Sequence, residues 1–112
     1  MQKEVDETLI KLDGKQPEYR DITKMRYTTK VINETLRLWP VVPQGPRREM
    51  MHDDTIKGPD GKPVVVKKGT IVHVPHWLLH RNKNLWGEDA LEFNPDRMGD
   101  KDFNSNRAFM PF

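Results

Sequence analysis

The sequence contains no cysteine, and this absence excludes several classes of protein at once. Disulfide scaffolds, zinc sites with thiolate ligands, iron–sulfur clusters and cysteine nucleophiles all need that residue. No apolar run approaches the roughly 18 residues that a membrane-spanning helix requires. The first residues, MQKEVDETLIKLDGK, carry too many charges for a signal peptide. We therefore predict no membrane span in this chain.

Charge of a single sign is also scarce. The 112 residues include 19 basic and 17 acidic side chains, which gives a formal net charge of +2. Because the two signs are mixed along the chain, no nucleic-acid partner is predicted. Hydrophobic residues make up 35% and charged residues 32% of the chain. A short chain this polar buries a modest core by itself, which predicts either a marginal small domain or a piece of a larger one.

Two helices are predicted in the N-terminal third. Apolar residues recur with helical spacing over residues 2–12 and again from Met25 to Trp39. Gly14 is expected to end the first helix, and Pro40 the second, because proline disfavours helical geometry in the preceding residue. The candidates for capping the start of the second helix are Asp21 and Thr23.

Glu34 and Arg37 lie three residues apart in the second helix, on the side opposite its apolar stripe. Apolar neighbours also flank that side, so the helix is apolar on nearly every side and is expected to be buried. The pair is then a buried ion pair, which needs further hydrogen-bond partners to be tolerated. As an isolated pattern, the same spacing is typical of an ordinary surface pair.

The rest of the chain is predicted to form short strands, turns and one short helix. Gly58-Pro59-Asp60-Gly61 is a turn, with Asp-Gly as a hairpin dipeptide. Apolar Trp77, Leu78 and Leu79 are expected to pack inward from the helix. The predicted strands are Arg47–Met51, Pro63–Val66 and Thr70–Val74, the helix is Pro75–Leu79, and Asn82–Asn84 is a loop.

Four motifs give the chain a family resemblance. They match in order and spacing, and together they cover almost the whole chain. The sequence resembles the C-terminal part of a cytochrome P450 monooxygenase through NETLRLWPVVPQGPRRE, GTIVHVPHWLLHRN, WGEDALEFNPDRM and AFMPF. The resemblance implies an α+β fragment of that mainly α fold: two N-terminal helices, a small β-sheet or hairpin, and then a meander region. Residues 1–112 are accordingly expected to be a single partial domain, truncated at both ends.

The resemblance also assigns expected roles to individual residues. Glu34 and Arg37 match the family's ExxR pair, and Arg97 matches the third member of its Glu-Arg-Arg triad. A buried carboxylate can accept hydrogen bonds from two guanidinium groups at once. By spacing, Arg47 is preferred over the adjacent Arg48 as the partner of a haem propionate. The loop that lines the family's substrate pocket matches Val41, Val42, Pro43, Gln44 and Gly45, and Phe112 opens its haem loop.

The activity implied by the resemblance is that of a haem-thiolate monooxygenase. Such enzymes hydroxylate apolar substrates, including fatty-acid-like ones, with O₂ and electrons from an NADPH-dependent reductase. A full-length eukaryotic homologue is expected in the endoplasmic reticulum membrane. A cysteine thiolate holds the haem iron in this family. Because the chain has no cysteine, it is expected to be inactive alone.

Two other interpretations stay open at this point. One is a small interaction module of two helices and a β-hairpin, which docks through its apolar C-terminal residues. The other is a metal-binding domain, because imidazole is a good zinc ligand. Pro75 interrupts the local helical periodicity, however, so one helix cannot display all three candidate ligands, which are His73, His76 and His80.

Overall fold

The structure is a computed structural model that describes residues 1–99 and 108–111. Within these residues, α-helices and two small antiparallel sheets give the predicted α+β class. Both N-terminal helices are confirmed, as α1 (Gln2–Leu12) and α3 (Arg26–Leu38). A four-residue helix that the sequence did not indicate, α2 (Tyr19–Ile22), lies between them.

The start of α3 is capped by a residue far away in the sequence. Neither predicted cap is correct: Asp21 belongs to the capping box of α2, and the Thr23 hydroxyl donates to a carbonyl one turn earlier. The Glu4 carboxylate of α1 accepts instead from the backbone N–H groups of Tyr27 and Thr28, at 3.0 and 2.8 Å. These contacts, above all the one with Thr28, lower the pKa of Glu4. An anion at a helix N-terminus is favourable whichever element supplies it.

In the part of the chain that the structure describes, four strands form two separate two-stranded sheets. Strand β1 (Arg47–Glu49) pairs with β4 (Ile71–His73), so that Arg47 lies opposite His73. Strand β2 (Asp54–Lys57) pairs with β3 (Pro63–Val66) around the predicted Gly58–Gly61 turn. Strand β2 was not predicted, because its four residues begin and end with charged side chains and give little alternation.

The described chain beyond the sheets is short helices and turns. Helix α4 (His76–Leu79) is followed by α5 (Lys83–Trp86) and by the 3₁₀ helix Pro95–Gly99. The prediction of a loop over residues 82–84 is wrong, because Asn82 caps α5 by accepting from the backbone N–H of Asn84 at 2.9 Å. Of the three residues expected to pack inward, Trp77 and Leu78 are exposed and Leu79 is partly buried.

The described residues bury little apolar surface. The radius of gyration is 19.1 Å, against about 13 Å for a compact domain of about 100 residues. The core cluster contains Trp86, Ala90, Met98 and Ala108, with Leu79 and Phe109 packed against it. None of the helices described here is long and apolar enough to cross a bilayer.

Helix α3 buries its charged side and leaves much of its apolar side exposed. Glu34 and Arg37 are fully buried, whereas Ile32 is 53% and Tyr27 40% exposed. The expectation that this helix is buried all around is therefore wrong for the described structure. The segments that pack against α3 cover the ion pair, because they are hydrogen-bonded to it. The Ala90 carbonyl accepts from Arg37, and the backbone N–H of Asn94 donates to Glu34.

Candidate functional site

The carboxylate of Glu34 is the centre of a buried network. One oxygen accepts from Nε of Arg37 at 2.7 Å. The other accepts from the second guanidinium nitrogen of Arg37 at 2.8 Å, from Nε of Arg97 at 3.1 Å and from the backbone N–H of Asn94 at 2.9 Å. The structure thus brings together the three residues Glu34, Arg37 and Arg97, although Arg97 lies 63 positions beyond Glu34 in the sequence.

Arg37 connects helix α3 to the chain that follows α4. Besides its two bonds to Glu34, its guanidinium donates to the backbone carbonyls of His80 at 2.6 Å, Ala90 at 2.7 Å and Glu92 at 3.1 Å. All five N–H donors of the side chain are therefore used. Lysine, with three donors on one nitrogen, cannot reproduce this planar arrangement.

Arg97 is held by a second carboxylate that the sequence did not single out. Asp89 accepts from both terminal nitrogens of the Arg97 guanidinium, at 3.2 and 2.7 Å. The same nitrogens donate to the backbone carbonyls of Trp86 at 3.3 Å and Asp89 at 3.0 Å. Two carboxylates and two guanidinium groups make the cluster of Glu34, Arg37, Arg97 and Asp89 electrically neutral.

Within this cluster, each opposite charge stabilises the ionised form of its partner, and this shifts the pKa values of Arg97 and Asp89. Burial by itself would lower the pKa of Arg97, but the hydrogen bonds and charges of Asp89 and Glu34 outweigh it and raise that pKa. The hydrogen bond from Arg97 is the largest cause that lowers the pKa of Asp89. Because Asp89 is partly exposed, solvent weakens its contribution relative to that of Glu34.

Asp89→Asn is expected to destabilise the chain at neutral pH and to have little effect in acid. The folded-state pKa of Asp89 lies below its unfolded value, so ionisation stabilises the fold above the unfolded pKa. That stabilisation is lost as the pH falls through the folded-state pKa. Urea unfolding of both proteins across this acid range should therefore give curves of stability against pH that converge.

Glu88→Gln provides the matched control for this comparison. Glu88 is the neighbouring acid, it is exposed, and it pairs with Lys83 at the surface. Its replacement is expected to leave the pH dependence close to that of the unsubstituted chain. A constant gap between Asp89→Asn and the parent chain at every pH would contradict an ionic role for Asp89.

The five residues predicted to line a substrate pocket follow α3 as one loop. Val41 is 65% and Val42 46% exposed, and Gln44 is exposed as well. The Pro43 carbonyl accepts from the backbone N–H of Trp77 at 3.0 Å, which ties the loop to the start of α4. Gly45 is buried against the same region, and a Cβ atom there would lie 1.9 Å from the Val74 carbonyl oxygen.

Of the residues predicted to contact haem, the structure describes Arg47 and its alternative Arg48. Arg47 and Arg48 are both exposed on strand β1, which pairs with β4 alone among the described strands. Neither forms an ion pair with another described residue. Adjacent residues of a strand point to opposite faces, so only one of the two can face a given ligand. Phe112 lies outside the described residues.

The three histidines considered as metal ligands do not form a metal site in the described part of the chain. No group of three or more His, Asp or Glu side chains there is arranged to hold a metal ion. His73 lies on β4, whereas His76 and His80 stack on one another in the α4 region, with ring centroids 5.8 Å apart. Both ring nitrogens of His80 are within hydrogen-bond distance of backbone atoms.

Sequence reasoning missed Asp89 and the carbonyl groups that receive the two arginines. With 17 acidic residues in the chain, nothing local distinguishes the one that meets Arg97. The carbonyls of His80, Ala90 and Glu92 are main-chain groups and leave no mark in the sequence. The one available signal was the need of a buried guanidinium for more partners than Glu34 supplies.

Comparison with known proteins gives consistent matches over the whole chain. The family model for cytochrome P450 matches residues 1–112. Secologanin synthase 2 of Catharanthus roseus is 36% identical over 99% of this chain. A cytokinin hydroxylase of Arabidopsis thaliana is 40% identical over 86% of it, and the cytochrome P450 monooxygenase FPY7 of Fusarium mangiferae is 39% identical over 90%.

The matched region is a small part of each of these relatives. The alignments cover 21% of secologanin synthase 2, 18% of the cytokinin hydroxylase and 20% of the Fusarium monooxygenase. The chain therefore spans about a fifth of the length of the curated relatives it matches.

Proposed function

This chain belongs to the cytochrome P450 family, and from that premise we propose that it is part of a haem-thiolate monooxygenase. The proposed enzyme inserts one atom of O₂ into a C–H bond of its substrate. The other oxygen atom leaves as water, with two electrons from an NADPH-dependent reductase and two protons from solvent. The proposed role of residues 1–112 is that of a partial domain, which supplies scaffold and part of the substrate pocket.

The observation that supports this proposal most is the buried ion cluster. Arg37 and Arg97 both donate to the carboxylate of Glu34, as the family's Glu-Arg-Arg triad implies. A small domain gains little net stability from a buried ion pair, so a cluster this elaborate favours a positional role. We propose that it fixes the meander, residues 88–97, against helix α3.

The residues of this chain could supply only some of the contacts that haem needs. Arg47 is exposed and unpaired among the described residues, so it is the proposed partner of a propionate, with Arg48 as the alternative. A guanidinium is well matched to a carboxylate. The bound haem would supply O₂ activation. Its thiolate ligand cannot come from these 112 residues, because none of them is cysteine.

The proposed substrates are apolar small molecules, including fatty-acid-like ones. The exposed side chains of Val41 and Val42 support this, because they present apolar surface on the loop assigned to the pocket. The names of the relatives include a hydroxylase of cytokinin and a synthase of secologanin. Since these names concern different compounds, the pocket loop of this chain is the better guide to its substrate class.

The chain alone is proposed to be inactive, and its full-length counterpart to work in the endoplasmic reticulum membrane. Many large apolar side chains of the described residues are exposed, including Ile10 at 76% and Leu91 at 65%. Burial of such side chains against further polypeptide would be favourable. Neither the interaction-module nor the metal-domain interpretation has a specific observation that favours it over this proposal.

A reduced carbon monoxide difference spectrum tests the proposal. The purified 112-residue chain, reconstituted with haemin, is expected to give no thiolate-type Soret band, because the ligand is missing. The same residues expressed within the longer product of their gene are expected to give that band. A thiolate-type spectrum from the chain alone would overturn the predicted inactivity, and its absence from the longer product would overturn the assigned chemistry.

A further inference from the structure

We infer that His80 is a positioning residue that fastens helix α3 to the segment 108–111 through a single, fixed imidazole tautomer. The geometry of this link stands by itself. Its consequence for haem rests on the proposed function, in which the haem loop begins at Phe112.

The two ring nitrogens of His80 have different partners. Nε2 lies 2.9 Å from the backbone nitrogen of Met110, and Nδ1 lies 3.0 Å from the carbonyl oxygen of Arg37. An amide N–H can only donate and a carbonyl can only accept. The proton must therefore be on Nδ1, and the lone pair on Nε2. The imidazolium form cannot make the bond to Met110, because it has no acceptor.

Two aromatic rings pack against the imidazole, and the backbone carbonyl of His80 is itself hydrogen-bonded. His80 is fully buried, and its ring stacks on Phe109 with centroids 5.7 Å apart and meets Trp86 edge-on at 6.3 Å. Arg37 donates to the His80 carbonyl at 2.6 Å while its own carbonyl accepts from the ring. The histidine is thus locked to the same arginine that binds Glu34.

Met110 is two residues before Phe112 in the sequence. By holding the amide of Met110, His80 connects the ion cluster on α3 with the chain that leads into the proposed haem loop. A positioning residue of this kind acts on the cofactor only through the backbone it holds. Its loss is therefore expected to affect haem retention in the longer protein while leaving the cluster contacts of Glu34 in place.

His76 provides a matched control inside the same structure. It lies four residues earlier, is also almost fully buried at 1% exposure, and stacks on His80. Neither of its ring nitrogens has a hydrogen-bond partner among the described residues. Its replacement by phenylalanine removes two unsatisfied polar atoms and no hydrogen bond, so it is expected to leave the link intact.

The protonation state of His80 is consistent with this link. Burial is the main cause that lowers the pKa of His80, and the nearby charges of His76, Arg37 and Arg81 lower it further, against the opposing effect of the Arg37 carbonyl. Among the described residues, no Asp or Glu side chain contributes to these influences on the ring. Neutral His80 therefore stabilises the fold above its unfolded pKa, and this contribution is lost as the pH falls towards the folded-state value.

Hydrogen exchange of the Met110 amide, measured by NMR on the 112-residue chain, tests the inference. His80→Gln keeps an oxygen near the position of Nε2, whereas His80→Asn keeps a donor near Nδ1 and loses the acceptor for Met110. Relative to the parent chain, Met110 exchange is expected to be about fivefold to tenfold faster in His80→Asn. Exchange in His80→Gln and in His76→Phe is expected to stay close to the parent rate.

The ¹⁵N shifts of the imidazole in the unsubstituted chain provide a test that does not depend on any variant folding. They are expected to show a protonated Nδ1 and an unprotonated Nε2. An Nε2–H tautomer, an unprotected Met110 amide in the parent chain, or equal Met110 exchange in His80→Asn and the parent would each overturn the inference. These readouts need no haem, so they separate a failure of the link from a failure of the proposed function.

Discussion

Replacing Glu34 by glutamine is expected to cost about 3–5 kcal/mol in free energy of unfolding. The side chain is fully buried and is the common acceptor of Arg37 and Arg97. Without its charge, two guanidinium groups stay in the interior with only Asp89, at the edge of the cluster, to balance them. Urea unfolding followed by tryptophan fluorescence measures the change, since Trp86 packs against the Arg37 guanidinium, 5.0 Å from ring centroid to Cζ.

Glu88→Gln is the control for the loss of one negative charge. Glu88 is exposed and pairs only at the surface with Lys83, so its replacement is expected to cost less than about 1 kcal/mol. A small domain has about 5–15 kcal/mol of total stability, and the core of this chain is small. Glu34→Gln should therefore remove most of the cooperative transition. Similar midpoints for the two variants would mean that the cluster does not hold this fold together.

Replacing Gly45 by alanine is expected to cost roughly 2–5 kcal/mol, through two separate effects. The residue has φ of +66°, a conformation that a side chain with Cβ adopts only at a penalty. In addition, the new methyl group would lie 1.9 Å from the Val74 carbonyl oxygen and 3.0 Å from a ring carbon of His76. The loop and the start of α4 must then move apart, which would weaken the hydrogen bond from the backbone N–H of Trp77 to the Pro43 carbonyl.

Gly69→Ala measures the backbone part of that effect without the steric part. Gly69 also has a positive φ, of +83°, but a Cβ atom there meets nothing within 4 Å. Its replacement is expected to cost only the backbone penalty, about 1–2 kcal/mol. The difference between the two urea midpoints then reports the close approach at Gly45. Equal losses in both variants would show that the loop tolerates the methyl group.

The helices and the ion pair could be predicted because their signals are local. Apolar residues at three- and four-residue steps mark α1 and α3, and a separation of three residues places Glu34 beside Arg37 on one turn. The requirement that a buried pair find further partners also followed from the sequence. What it could not supply was their identity, because most of them are backbone carbonyls.

Two of the errors lie where a hydrogen bond that was not foreseen replaces the predicted arrangement. The start of α3 has candidate caps close by, yet Glu4, more than twenty positions away, takes its N–H groups. Residues 82–84 are polar and have turn composition, yet the Asn82 cap closes a helical turn there. At the start of α3 a distant carboxylate takes the place of the local caps, whereas at residues 82–84 the deciding hydrogen bond is local and joins two residues of the predicted loop.

By itself, the amino-acid sequence determined the family, the two long helices, the position of the hairpin turn and the lack of a thiolate ligand. Only the tertiary structure decided that Asp89 completes the ion cluster, that His80 has one tautomer, and that Gly45 lies against α4. The physical reason is the range of the interactions. Helical periodicity and turn chemistry act over a few residues, whereas these three features need groups that are brought together from distant parts of the chain.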